Sequence, residues 1–227
     1  MSVWERVFAA GYDRFMATAE RADLGARRAA LLAEARGRVL ELGAGTGVNL
    51  PYYGPDVAEV VLLEPSEPMA RRLQRKLGAR EPDVRASETD LAARVPARVV
   101  LAPAEALPFP DASFDTVVAT LVLCTVTDPE RVLAEVERVL TPDGRLLFLE
   151  HVRATDERLA RWQTRLNPIQ KRFACGCHLD RPTPDLIARR FEIVALERDR
   201  MRKSPPTHGQ LAVGQATQRQ VANRTEQ

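Results

Sequence analysis

Three glycines and two acids carry the first chemical signal in the sequence. Gly43, Gly45 and Gly47 stand in the run Glu41-Leu42-Gly43-Ala44-Gly45-Thr46-Gly47, after an apolar stretch and before a helical one. Glycine lets the backbone turn sharply there and approach a ligand with no Cβ in the way. The spacing alone does not choose the ligand. A dinucleotide fingerprint places its third glycine where this chain has Val48. Glu41, immediately before the turn, repels a pyrophosphate and attracts an ammonium group. A second acid, Glu64, closes the stretch Leu62-Leu63-Glu64. A carboxylate about twenty residues beyond such a loop accepts hydrogen bonds from both ribose hydroxyls. The ligand that meets both acids is a nucleoside with cationic groups and no phosphate, and S-adenosylmethionine has an ammonium, a sulfonium and no phosphate.

Groups for the second reactant are few. The sequence holds three histidines, His151, His178 and His208, and histidine is the side chain whose charge changes near neutral pH. His151 lies just past an apolar stretch, and ligands of open α/β sheets sit at the carboxyl ends of strands. It either contacts a substrate or caps the strand end and positions Glu150. His178 and Asp180 are the next catalytic candidates. Cys175, Cys177 and His178 offer too few ligands for a structural zinc site, so no metal is expected. Cys124 completes that set only by a coincidence of folding, and the thiols are read as small hydrophobes beside the pocket. At the front, Trp4, Val7, Phe8, Tyr12 and Phe15 recur at helical spacing. That helix packs on the core, closes as a lid in which Tyr12 turns its π-face to a sulfonium, or lies on a membrane surface.

The elements that must position these groups follow from periodicity. Val39 to Leu42, Val60 to Leu63, Val117 to Val122 and Leu146 to Leu149 are nearly continuous apolar runs, as in parallel strands covered on both faces. Val99 to Leu101 is a weaker fifth. Asp128-Pro129 starts a helix with Val132, Leu133, Val136, Val139 and Leu140 on one face, ending before Thr141-Pro142-Asp143-Gly144. Ser66 caps a second helix through Met69, Leu73 and Leu77, whose other face, Arg71, Arg72, Arg75 and Lys76, is solvated. Gly78 to Pro96 is a surface insertion with one short helix around Thr89 to Ala93. Beyond it come a helix bearing Trp162 and Leu166, then two antiparallel strands, Phe191 to Leu196 and Gly209 to Ala216. The expected fold is α/β: a Rossmann-like, doubly wound, seven-stranded, mostly parallel sheet with an antiparallel final strand. The expected organisation is one domain, with an N-terminal helical lid over 1–35, a cofactor-binding core over 36–150, substrate-side helices and final strands over 151–217, and a polar tail over 218–227.

Together, the run from Glu41 to Gly47, Glu64-Pro65-Ser66, Ala104 to Phe109, and Phe114 to Val118 resemble the ordered motifs of class I S-adenosylmethionine-dependent methyltransferases, across about residues 36 to 150. The resemblance implies a first loop that cradles the methionine and ribose parts. Ala104 and Glu105 would meet the adenine, and Thr120 and Leu121 would line the methionine end. The implied cofactor set is thus Tyr12, Glu41, Gly43, Ala44, Gly45, Gly47, Asn49, Glu64, Pro65, Met69, Ala104, Glu105, Thr120 and Leu121. Pro103 departs from the family pattern, because many relatives carry an acid there. The segments Leu149 to Ala154 and Cys177 to Arg181 are similar to a small-molecule subgroup that includes alkyl-thiol methyltransferases and bacterial phospholipid or quinone methyltransferases. A small-molecule thiol, phenol or amine is the implied acceptor.

Composition narrows the alternatives. Thirty-three basic against thirty-one acidic residues leave a net charge of +2, which gives no general attraction for nucleic acid. Base-amino methyltransferases carry an Asn-Pro-Pro-Tyr-like run after the fourth strand, where this chain has Thr120-Leu121-Val122-Leu123. Nucleic acid is not an expected partner. Three cysteines and charged residues at the N-terminus suit a cytoplasmic chain without a signal peptide. Mammalian relatives of the thiol subgroup begin with a membrane-anchoring segment that this sequence does not show, so membrane contact is expected to be peripheral at most. A nicotinamide oxidoreductase is opposed by Glu41 and Val48. A non-catalytic S-adenosylmethionine-binding regulator is the remaining rival.

Overall fold

The computed structural model describes residues 17–78, 95–173 and 176–219. Strands β1 (Gly37–Leu42), β2 (Val57–Leu63), β3 (Ala97–Val100), β4 (Phe114–Thr120), β5 (Leu140–His151), β6 (Phe191–Arg200) and β7 (Gln210–Gln218) form one sheet of order β3-β2-β1-β4-β5-β7-β6. β1 to β5 pair in parallel, and β7 runs antiparallel to both β5 and β6. This is the expected sheet, with its reversed final strand. Helices α1 (Gly25–Leu32), α2 (Glu67–Gly78), α3 (Pro129–Val139), α4 (Glu157–Phe173) and α5 (Thr183–Arg190) connect and cover it. A π-helical turn, Glu20–Leu24, leads into α1.

The apolar runs read as two-faced strands because each strand alternates between two cores. Leu40, Leu42, Val117, Ala119, Leu146 and Phe148 pack on one side with Val132 and Val136 of α3 and Ile187 of α5. Val39, Val60, Leu62, Val118, Leu147 and Leu149 pack on the other with Leu24, Leu31, Leu32, Tyr53 and Leu73. The same alternation places Glu41 and Thr120 on the second face and Glu150 on the first. α3 starts as expected: the Asp128 side chain accepts from the Arg131 amide at 3.1 Å, with Pro129 in the first turn. The Thr141 to Gly144 turn ends α3 but is drawn into the start of β5, where the register against β4 shifts between Phe114 and Thr116. The N-terminal helix with Tyr12, the helix around Thr89 to Ala93 and Cys175 lie outside the described residues. Among those described, no helix is long and apolar enough to cross a membrane.

The loop after β1 demonstrates what its glycines are for. Gly43, Gly45 and Gly47 have φ of 56°, 56° and 77°, a region that side chains with a Cβ rarely adopt. A Cβ on Gly47 would also lie 2.5 Å from Leu73 Cδ1 and 2.7 Å from Leu50 Cδ1, whereas on Gly45 its nearest neighbour is Met69 Sδ at 3.8 Å. Equilibrium urea unfolding should therefore separate the two positions. Gly45→Ala should lose about 1–2 kcal/mol from backbone strain, and Gly47→Ala about 2–4 kcal/mol once crowding is added. Equal losses would show that packing on Leu73 and Leu50 does not set the second requirement.

Candidate functional site

The carboxyl ends of the parallel strands meet along one edge of the sheet. The glycine loop follows β1, Glu64 follows β2, the segment 103–107 follows β3, Thr120 ends β4 and His151 ends β5. This edge is where open α/β sheets bind ligands. The loop is pinned there by the Ala44 amide donating to Leu63 O at 2.9 Å. Glu64 is 5% exposed and accepts from the Gly45 amide on one oxygen and the Ser66 amide on the other, both at 2.8 Å. Burial raises its pKa, against the pull of those two amides. A carboxylate has about four lone-pair sites, so each oxygen keeps a position for a further donor such as a ribose hydroxyl. Met69 stands over Gly45, Ala104 is buried and Pro65 is exposed, turning the chain from β2 toward α2.

Glu41 sits in a closed network. Its Oε1 accepts from Asn49 Nδ2 at 3.0 Å and its Oε2 from the Tyr53 hydroxyl at 2.6 Å. Asn49 Nδ2 also reaches Thr120 Oγ1 at 2.9 Å. Arg28, only 1% exposed, donates through Nη1 to Asn49 Oδ1 and Thr120 Oγ1, both at 2.8 Å, and pairs with Glu20 at 3.2 Å. The network ties α1, the glycine loop and the end of β4 together. Burial pushes the Glu41 carboxyl up to about 7, opposed by Tyr53, Arg28 and Asn49. The Tyr53 hydroxyl is raised in turn by burial and by Glu41.

On the neighbouring stretch of the edge, Glu150 is fully buried and accepts from the amides of Val122 at 3.0 Å, Leu123 at 2.8 Å and Cys124 at 3.1 Å. These bonds fix the turn after β4, in which Leu121 has φ 59°. Burial raises Glu150 to about 7 against the three amides. The buried Arg181 guanidinium donates to Leu123 O and to Val126 O. The His178 amide donates to Cys124 O at 2.8 Å. Cys124 and Cys177 are buried with their Sγ atoms 3.7 Å apart, and Cys177 Sγ lies 3.6 Å from His151 Nδ1. The Cys177 thiol is held well below its ordinary range, first by the hydrogen bond it shares with Cys124 and then by His151. His151 Nε2 is buried with no hydrogen-bond partner among the described residues.

Most of the expected site residues thus converge on one edge, with two differences. Glu105 Oε1 accepts from the Thr127 amide at 3.0 Å, so its carboxylate holds the entry to α3. Asp180 Oδ1 takes a hydrogen bond from Asn167, which ties the 176–181 loop to α4. The His178 ring titrates low through burial, Arg181 and Lys171, and it is His151 that touches Cys177. The fold also brings Cys124 beside Cys177, the juxtaposition that sequence spacing did not supply. Arg28, Tyr53 and Arg181 went unassigned from sequence. For Arg28 a signal existed: it lies four residues after Leu24 and three before Leu31, inside the apolar stripe of its helix.

The raised Glu41 carboxyl has a signed consequence for the ligand-free protein. Its folded pKa lies above the unfolded value, so the folded state binds more protons between about pH 4.5 and about 7. Its contribution to stability is complete below that window and falls as pH rises through it. Glu41→Gln, which keeps a neutral partner for Tyr53 and Asn49, should gain on the wild type by on the order of 1–3 kcal/mol between pH 5 and pH 8. Parallel stability profiles by urea unfolding would remove Glu41 as the titrating group.

Comparison with known proteins gives the family and the fold. The methyltransferase domain family matches residues 40–148. The human thiol S-methyltransferase is 38% identical over 188 residues, 81% of this chain and 70% of the relative. The rat thiol S-methyltransferase is 37% identical over 179 residues, 78% of this chain and 66% of the relative, so the chain spans about two thirds of these proteins. The phosphatidylethanolamine N-methyltransferase of Cereibacter sphaeroides is 35% identical over 150 residues, 62% of this chain and 67% of that one. In fold, a Thermotoga maritima S-adenosylmethionine-dependent methyltransferase superposes with a TM-score of 0.68 at 22% identity, covering 96% of this chain and all of that one. On these likenesses the chain is a member of the class I S-adenosylmethionine-dependent methyltransferase superfamily, in the subgroup of thiol and phospholipid methyltransferase-like proteins.

Proposed function

We propose that this methyltransferase acts on a small-molecule thiol. The observation that carries the reading is the make-up of the edge beyond the glycine loop: Cys124, His151 and Cys177, with the nearby buried carboxylate of Glu150 holding three backbone amides. Such a set of sulfur and imidazole groups suits a soft acceptor that must lose a proton. The 38% identity to the human thiol S-methyltransferase points the same way.

Bound S-adenosylmethionine supplies an electrophilic methyl group on a positively charged sulfur. The protein's part is to hold the partners in line and keep water out. Glu64 would accept from the ribose hydroxyls on the lone pairs that Gly45 and Ser66 leave open. The buried network of Glu41, Asn49 and Thr120 would back the amino-acid end, and Met69 and the backbone of 103–106 would border the nucleoside. Leu121 and His151, which follow β4 and end β5, would stand on the acceptor side of the edge. An anionic thiolate meeting a sulfonium would lose charge as the bond formed, so apolar side chains such as Leu121 and Val122 would favour that step over the separated ions. The reading extends to a cytoplasmic enzyme, consistent with its cysteine usage.

Two measurements test this. Glu64→Ala should weaken S-adenosylmethionine binding by about 1–3 kcal/mol in calorimetry, and an unchanged affinity would take Glu64 out of the site. Labelled S-adenosylmethionine should pass its methyl to members of an alkyl and aryl thiol series in preference to phenols, amines, phosphatidylethanolamine and demethylated quinones. Transfer to the lipid amine or the quinone and not to thiols would replace the acceptor named here.

A further inference from the structure

We propose that Cys124, His151 and Cys177 hold one zinc ion whose fourth position takes the sulfur of the thiol acceptor; this rests on the thiol reading above. The three residues come from separate parts of the chain: the turn after β4, the end of β5, and the loop between α4 and α5. Their ligand atoms all lie within 4.8 Å of one another. Tetrahedral zinc, with bonds of about 2.3 Å to sulfur and about 2.05 Å to nitrogen, separates two sulfurs by about 3.8 Å and a sulfur from a nitrogen by about 3.5 Å. The observed separations are 3.7 Å between Cys177 Sγ and Cys124 Sγ, and 3.6 Å between Cys177 Sγ and His151 Nδ1. The third edge closes by a side-chain movement of about 1.3 Å at most, within reach of a small rotation of the Cys124 or His151 side chain.

The surroundings suit an ion. Two thiolates and a neutral imidazole around Zn²⁺ sum to zero charge, which a buried position tolerates better than a lone thiolate. Soft sulfur with imidazole selects zinc over the hard divalent cations. The ligands are held from outside: the Cys124 amide by Glu150 and its carbonyl by the His178 amide. Gln170 bonds to the Cys177 thiol, and Gln170 Oε1 lies 3.1 Å from His208 Nε2. A fourth, negatively charged sulfur would be balanced by Arg181, whose guanidinium donates to the Leu123 carbonyl next to Cys124 and to the Val126 carbonyl. Three protein ligands with an open position is the arrangement of catalytic zinc, not of structural zinc.

The step balances without an oxidant. Coordination releases the acceptor's thiol proton to solvent. The thiolate sulfur then forms a bond to the methyl carbon as the sulfonium–methyl bond breaks, and that electron pair stays on the former sulfonium. The neutral thioether product is a poorer ligand and leaves.

The test uses the full chain, reduced and stripped of metal under nitrogen. Titration with Co²⁺ should give one equivalent bound, with ligand-field bands of a four-coordinate ion and a thiolate-to-cobalt charge-transfer band. Both should be lost in Cys177→Ser and His151→Ala variants that retain S-adenosylmethionine binding by calorimetry. A thiol acceptor added without cofactor should shift the ligand-field bands. Metal removal should slow thiol methylation by up to about 30-fold at pH 7, the factor by which a free thiol of pKa about 8.5 is short of thiolate, shrinking to about twofold at pH 8.5; zinc should restore it. No stoichiometric uptake by the wild type, or the same charge-transfer band in Cys177→Ser, would overturn the metal site. Cobalt bands unmoved by any thiol would overturn the open position. Uptake and a thiol-induced shift with no methyl passing to thiols would support the metal site and overturn the acceptor reading instead.

Discussion

Glu41 is a carboxylate buried where water cannot solvate it, and the cofactor edge is organised around that constraint. A charge or even a neutral carboxyl in such a place needs partners in fixed directions. Tyr53 and Asn49 supply them, Thr120 and Arg28 satisfy Asn49 in turn, and Glu20 neutralises Arg28. Each link joins a different element. The orientation of the glycine loop relative to β4 and α1 is therefore set by polar geometry that apolar packing alone would leave free to slide. The neighbouring Glu150 repeats the device with backbone amides, and so determines where Cys124 stands.

The division of labour along the edge follows from strand order. β1 and β2 present glycines and Glu64 to one half, and β4 and β5 present Thr120, the 121–124 turn and His151 to the other. The loop from 176 to 181 closes over the second half, held by Arg181 to the turn after β4 and by Asn167 to α4. The two halves of the edge thus carry different sets of side chains. Likeness to methyltransferases of varied acceptors fits that arrangement, because the first half serves a common cofactor and the second is free to vary.

Local chemistry was legible in the sequence. The strand-loop-helix spacing around Gly43 to Gly47, the acid at Glu64, and the Asp128-Pro129 start of α3 depend on residues close in the chain, whose geometry their own types dictate. So were the central strands β1, β2, β4 and β5, because covered strands must be apolar nearly throughout. Less visible were the partners of Glu41. Tyr53 has no pattern to mark it, and Arg28 reaches Thr120 across 92 positions. Glu105 and Asp180 drew attention as acids near the right motifs, yet each is committed to a hydrogen bond that shapes a loop.

By itself, then, the sequence determined the cofactor and the sheet: both follow from short-range rules of glycine conformation, charge beside a turn and apolar period. Only the tertiary structure decided which side chains gather at the ends of β4 and β5. Cys124 and Cys177 lie 53 positions apart, in a turn and a loop with no periodicity. Their meeting beside His151 depends on β4 and β5 being neighbours, on Glu150 capturing three amides and on Arg181 pulling the last loop inward. Contacts of that kind arise from the sum of distant packing and hydrogen bonding, which no local stretch of residues encodes.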